Sequence, residues 1–153
     1  MRQIRRSALV AVTPERMFEL INDVERYPEF VPGCAAASVL QRGEDQLRAR
    51  LTVGSGMLST SFVTRNRLLR PYSIQMDLDE GPLKSLHGRW TLTPVVGNGI
   101  SGCRVEFDLS FEVQGGLTGL ALGPLVERMA ASLVDAFVAR ARQLGPATPA
   151  VVV

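Results

Sequence analysis

In the stretch Cys103–Leu144, CRVEFDLSFEVQGGLTGLALGPLVERMAASLVDAFVARARQL, the hydrophobic period switches once, from two to about 3.6. Val105, Phe107, Leu109, Phe111 and Val113 alternate with Arg104, Glu106, Asp108, Ser110 and Glu112. Such alternation belongs to an antiparallel strand with one buried and one wet face. Gln114-Gly115-Gly116 breaks it. Beyond the break, Leu122, Leu125, Val126, Met129, Leu133, Ala136, Phe137 and Ala141 form one helical stripe, with Glu127, Arg128, Asp135, Arg140 and Arg142 largely outside it. The pattern predicts a strand over 103–113 and a helix over 117–144, ended by Gly145-Pro146.

Upstream, the period of two extends back to Cys34. It predicts strands over 34–42, 46–53, 57–69, 73–79 and 84–94. Turn chemistry divides them at Arg42–Asp45, Gly54-Ser55-Gly56, Arg70-Pro71, Glu80-Gly81-Pro82 and Gly97-Asn98-Gly99. Residues 3–12 read as a further strand. Thr13 as N-cap and Pro14 at the first helical position then open an amphipathic helix over 14–25. Tyr27–Gly33 holds two prolines and has room for at most one more helical turn. The expected fold is α+β: a curved antiparallel sheet of about seven strands wrapped around a long C-terminal helix. One domain spans 1–145, and 146–153 is expected to be a mobile tail. A helix about 10–12 Å across cannot fill a wide concave sheet, so a cavity is expected between them.

The 153 residues are 46% hydrophobic and 21% charged, with a net charge of +2. That composition argues against collagen-like, disulfide-rich, coiled-coil and membrane-spanning classes. The charge alone does not mark a nucleic-acid binder. Sixteen of the 17 basic residues are Arg, and Lys84 is the single Lys. Cys34 and Cys103 form no C-x-x-C pattern, and with one histidine in the chain a Cys/His metal site is not expected. The apolar run Ala8–Val12 is too short for a signal peptide, so a cytoplasmic location is expected, with peripheral contact at the inner membrane as a variant.

No enzyme motif stands out, and no catalytic residue is assigned. His87 has the opposite parity to Leu86, Gly88, Trp90 and Leu92 and is expected to face solvent. Asp77, Asp79 and Glu80 read as a solvated strand end. Gly88, two residues from Trp90, leaves open space above the sheet. Tyr27, Phe30 and Val31 sit in a proline-bounded turn and are expected to cover the core or form a lid. Arg5, Arg65 and Arg67 would form a basic stripe for RNA phosphates if their strands were neighbours.

Val24–Cys34, VERYPEFVPGC, resembles the V-x-x-Y-P-x-F-[LV]-P-x-C signature of the coenzyme Q-binding START-like family. Glu80–Pro94, EGPLKSLHGRWTLTP, is similar to that family's D-G-P-F-K-x-L-x-G-x-W-x-F-x-P block, with Leu83 and Leu92 in place of phenylalanines. The closing segment Leu133–Ala141 is also similar. The resemblance covers about residues 1–144 and implies a helix-grip fold with a tunnel for an apolar ligand. It implies one of two roles: binding ubiquinone in support of respiratory electron transfer, or ribosome association toxin activity through the large subunit, blocking subunit joining. Met1–Val10 and Pro32-Gly33-Cys34 look more like the second branch.

The leading expectation is a lipid chaperone for ubiquinone or a similar isoprenoid lipid, with transient membrane-surface contact. The alternative is the ribosome association toxin, and a lesser one is a cyclase/dehydratase-like enzyme. Expected ligand-binding residues are Tyr27, Phe30, Val31 and Pro32 at the mouth, Phe62, Leu86, Trp90 and Phe107 on the sheet, and Met129, Leu133 and Phe137 on the helix. No cofactor beyond the bound lipid is expected.

Overall fold

The computed structural model describes residues 2–55, 57–97 and 99–144. Its elements are β1 (Arg2–Val10), α1 (Pro14–Asn22), a 3-10 turn (Val24–Arg26), α2 (Tyr27–Phe30), β2 (Cys34–Arg42), β3 (Gln46–Ser55), β4 (Leu58–Leu69), β5 (Ser73–Glu80), β6 (Leu83–Gly97), β7 (Ile100–Val113) and α3 (Leu117–Leu144). The sheet order is β1-β7-β6-β5-β4-β3-β2, antiparallel throughout. From β2 to β7 each strand pairs with the next in sequence, as tight turns dictate. β1 alone closes a long-range pair, Arg2 with Phe111 through Val10 with Cys103.

Register shifts at Cys34/Ala36, Val39/Gln41, Val63/Thr64 and Leu83/Ser85 bend the sheet. α3 lies against its inner face and buries Val126, Met129, Ala130, Leu133, Val134, Phe137 and Ala141 there. Opposite them stand Leu47, Ala49, Leu51 and Val53 of β3, Phe62 and Leu68 of β4, and Leu86, Trp90 and Leu92 of β6. At the far end Arg2 reaches α3, packing over Gly123 and pairing with Glu127 at 3.2 Å.

Several boundaries differ from expectation for physical reasons. The helix expected over 14–25 stops at Asn22, because Asp23 leaves helical geometry (φ −85, ψ 62) and Val24–Arg26 tightens into a 3-10 turn. Its start is as expected, with Thr13 Oγ1 accepting from the Arg16 N–H at 3.2 Å. β6 and β7 run on to the pair Gly97–Ile100. That extension overhangs the core, Val96 being 79% exposed, so apolar alternation gives no signal for it. The expectations for Gly145-Pro146 and for a tail over 146–153 lie outside the described residues. Among the described residues, no helix is long and apolar enough to cross a membrane.

Candidate functional site

An internal cavity of about 40 Å³ lies between α3 and the sheet. A single water needs at least about 10–15 Å³, so this is room for a few waters and not for a prenyl tail. Nine of the expected residues line it: Tyr27, Val31, Phe62, Leu86, Trp90, Phe107, Met129, Leu133 and Phe137. The strand register explains the centre of this wall. Trp90 faces Phe107 across one strand pair and Ile74 across the other. Trp90 stacks on Phe107 at 4.3 Å between centroids, and Phe137 meets the edges of Trp90 at 5.3 Å and Tyr27 at 5.2 Å.

Two expected mouth residues lie outside the wall. α2 is a single turn, closed by the Val31 N–H donating to the Tyr27 carbonyl at 2.8 Å. Tyr27 and Val31 therefore share the inner side, and Phe30 turns toward an outer groove with Arg140 over its ring at 5.0 Å. Pro32 lines a separate outer cleft with Gly33, Cys34 and Leu125. Met129 lines both that cleft and the cavity, which puts its flexible side chain between them. Gly33, at φ +84, brings the backbone against it, a Cβ there lying 3.7 Å from Met129 Cβ. The open space expected above Gly88 is filled instead: a Cβ there would sit 3.1 Å from Leu109 Cδ1 and 3.6 Å from Met76 Sδ.

Sequence reasoning missed Thr64 and Asn66, both buried polar residues in the cavity wall. Their parity with Phe62 and Leu68 was a usable signal, but scoring apolar residues alone passes over them. Asn66 is 8% exposed and its Oδ1 has no hydrogen-bond partner. An unmet buried polar atom costs about 1–3 kcal/mol. Asn66→Leu should therefore stabilise the empty protein by about 1 kcal/mol, read as a higher urea midpoint at unchanged slope. A lower midpoint would mean that the amide is satisfied in solution.

Tyr27 is the one titratable side chain in the wall among the described residues. Its hydroxyl donates to the Ile21 carbonyl oxygen, and burial pushes its pKa far above the ordinary phenol value. Cys34 and Cys103 are free and buried, and burial raises both thiols, Cys103 to about 11. Near neutral pH both are therefore thiols, not nucleophilic thiolates. His87 and Asp77 sit on the outer face and bond each other at 2.5 Å. Asp79 takes Arg48 at 2.5 Å and Arg65 at 3.4 Å, and Glu80 also pairs with Arg48. The hydrogen bond from Arg48, helped by the charges of Arg65 and Arg48, holds the Asp79 carboxyl below the usual range. No group of three metal-ligating side chains occurs among the described residues.

The basic stripe through Arg5, Arg65 and Arg67 does not form. β1 and β4 are separated by β7, β6 and β5, and Arg5 is held by Asp108 at 2.8 Å. Arg65 is taken by Asp79. Arg67 stays exposed beside Gln46 and Gln75 in the strand register.

Residues 10–138 match the family described as polyketide cyclase / dehydrase and lipid transport. The chain is 45% identical over 141 residues to the ribosome association toxin of Pseudomonas aeruginosa, covering 92% of this chain and 96% of that one. It is 24% identical over 136 residues to a mitochondrial coenzyme Q-binding protein of Drosophila melanogaster, covering 88% and 56%. Among solved structures, an 18 kDa protein of Caulobacter crescentus superposes with TM-score 0.69 at 32% identity, over 94% and 98% of the two chains. A Streptomyces aromatase/cyclase superposes with TM-score 0.72 at 19% identity, over 93% and 94%, a likeness of fold alone. With a helix-grip architecture, an apolar cavity under the long helix and this match over most of its length, the chain belongs to the polyketide cyclase/dehydrase and lipid transport family, the START-like proteins.

Proposed function

We propose that this protein associates with the large ribosomal subunit and hinders its joining to the small one. The observation that carries this reading is the 45% identity, spanning nearly the whole of both chains, to a protein named ribosome association toxin. The coenzyme Q reading draws on 24% identity to a protein of which the match spans 56%, and so has the weaker support. The test is sedimentation of the protein with purified subunits on a density gradient. The protein should travel with the large subunit, and adding it before the subunits are mixed should shrink the joined-ribosome peak. Protein that stays at the top of the gradient, with that peak unchanged, would sink the proposal.

One observation favours a second activity in the same molecule. The apolar wall around Trp90 encloses a cavity with two buried polar groups, Thr64 and Asn66, at one strand. This supports binding of an apolar ligand that carries a hydrogen-bonding group, such as a quinone or another isoprenoid lipid. At about 40 Å³ the cavity must widen first, and Met129 is placed to move. A cyclase-like reaction would have to run through Tyr27, Thr64 and Asn66, since His87 and Asp77 are outside.

A further inference from the structure

A groove of about 620 Å³ on the outer surface collects five arginines from five separate parts of the chain. Arg16 comes from α1, Arg26 from the 3-10 turn, Arg42 from the end of β2, Arg70 from the turn after β4, and Arg140 from α3. The carboxylates in its lining are Glu19 and Asp23, and Glu29 adds a third by bonding Arg26 at 3.4 Å and Arg140 at 2.9 Å. Five positive charges thus face three negative ones. The surplus sits on two residues. Arg42 has no ion pair among the described residues, and Arg70 spends its Nε on the neutral carbonyl of Glu44 at 3.3 Å.

The groove also holds polar groups that the protein itself leaves unmet. Asn22 lines it, is 6% exposed, and has no partner for either Nδ2 or Oδ1. The buried Nε of Arg16, which also lines the groove, is likewise without a partner. Buried donors with no partner are otherwise uncommon and call for a ligand or ordered water. The remaining wall is apolar, made of Leu20, Leu144 and half-buried Phe30, a ring at the edge of a cationic groove with Arg140 over it at 5.0 Å. Guanidinium forks fit phosphate oxygens in pairs, and aromatic rings stack on unpaired bases. An acidic peptide would use the forks but not the ring.

We infer that this groove is a seat for the phosphodiester backbone of unpaired RNA, with a base against Phe30. It rests on the ribosome reading and supplies the contact for it, in place of a stripe through Arg5, Arg65 and Arg67, whose strands are not neighbours.

The test measures binding of a short, fluorescently labelled, single-stranded RNA and of purified large subunits at several salt concentrations. Arg42 is exposed and unpaired, so Arg42→Glu should fold as the wild type does. It should weaken RNA binding about tenfold or more and lower the slope of log K against log salt by about one or more. Arg42→Gln should lower that slope by about one, and Arg104→Glu, on the outer face of β7, should change nothing. RNA binding by wild type that Arg42→Glu leaves intact overturns the groove, as does a loss seen with Arg67→Glu instead. So does an absence of RNA binding by the wild type at low salt, or displacement of RNA by inorganic phosphate at equal phosphate concentration. Large-subunit binding untouched by Arg42→Glu means a contact to ribosomal protein and also overturns it. RNA binding that depends on Arg42, without any binding to subunits, upholds the groove and sinks the ribosome reading.

Discussion

Phe137→Ala should lower the folding free energy by about 3–5 kcal/mol, the cost of removing a large ring from a close-packed core. Phe137 is 0% exposed and is the hub of the aromatic cluster, with Tyr27 at 5.2 Å, Phe30 at 5.3 Å and Trp90 at 5.3 Å. It joins three parts of the fold: the sheet through Trp90, the α2 turn through Tyr27 and Phe30, and α3 through its own backbone. Domains are stable by about 5–15 kcal/mol in total, so this variant should be marginal at 37 °C. Phe137→Leu keeps most of the volume and should lose only about 1–2 kcal/mol, including edge contacts of about 0.5–1.5 kcal/mol. Urea unfolding of both variants checks this. A loss under about 1 kcal/mol for the alanine variant would show that the cavity collapses to fill the gap.

Gly81→Ala should cost about 2–5 kcal/mol although it adds a single methyl group. Gly81 has φ +143, a conformation that costs other residues about 1–3 kcal/mol. Its added Cβ would also lie 2.6 Å from Phe62 Cβ and 3.0 Å from Phe62 Cα. Those atoms are at the root of the side chain, so no rotamer change relieves the clash. Phe62 must shift together with β4, adding about 1–3 kcal/mol of overpacking. For a chain of this size the melting temperature should fall by about 5–15 °C. Gly115→Ala is the control, because nothing lies within 4 Å of the position its Cβ would take. Equal melting temperatures for the two variants would show that the Gly81 turn relaxes freely. The same geometry explains why Gly81 stands beside Pro82 in the motif that precedes Trp90: the turn must pass close over Phe62.

Legibility in the sequence followed the strength of the periodic signal. β2 over 34–42 and α3 over 117–144 have the bounds that alternation and the apolar stripe predict. Each has a turn or a glycine pair at its start, and the bulges within β2 and Pro124 within α3 leave those bounds unchanged. α1 was overextended because Val24 continues the helical spacing, and spacing cannot register that Asp23 has left helical geometry. In the cavity, the large apolar residues of β4, β6, β7 and α3 were legible from parity. Phe30 was not, because in a one-turn helix a residue's direction depends on a single hydrogen bond rather than on repeated spacing, and Pro32 lies beyond that helix, in the turn before β2 where no spacing applies. The arginine groove was invisible for a different reason. Arg16, Arg26, Arg42, Arg70 and Arg140 are far apart in the chain, and only the packing of α1 and α3 beside the β2–β3 and β4–β5 turns brings them together.

The pairing of β1 with β7 has a kinetic consequence. Arg2 finds its partner at Phe111, so the first strand waits for more than a hundred residues of further synthesis. At about 5–20 residues per second that delay is about 5–20 s. Folding dominated by such non-local pairs is also slow in itself. The groove needs Arg140, and so is complete only once the last helix has emerged. Arg140 therefore joins the groove last, and a nascent copy whose α3 has not yet emerged holds four of the five arginines without the wall that closes the groove.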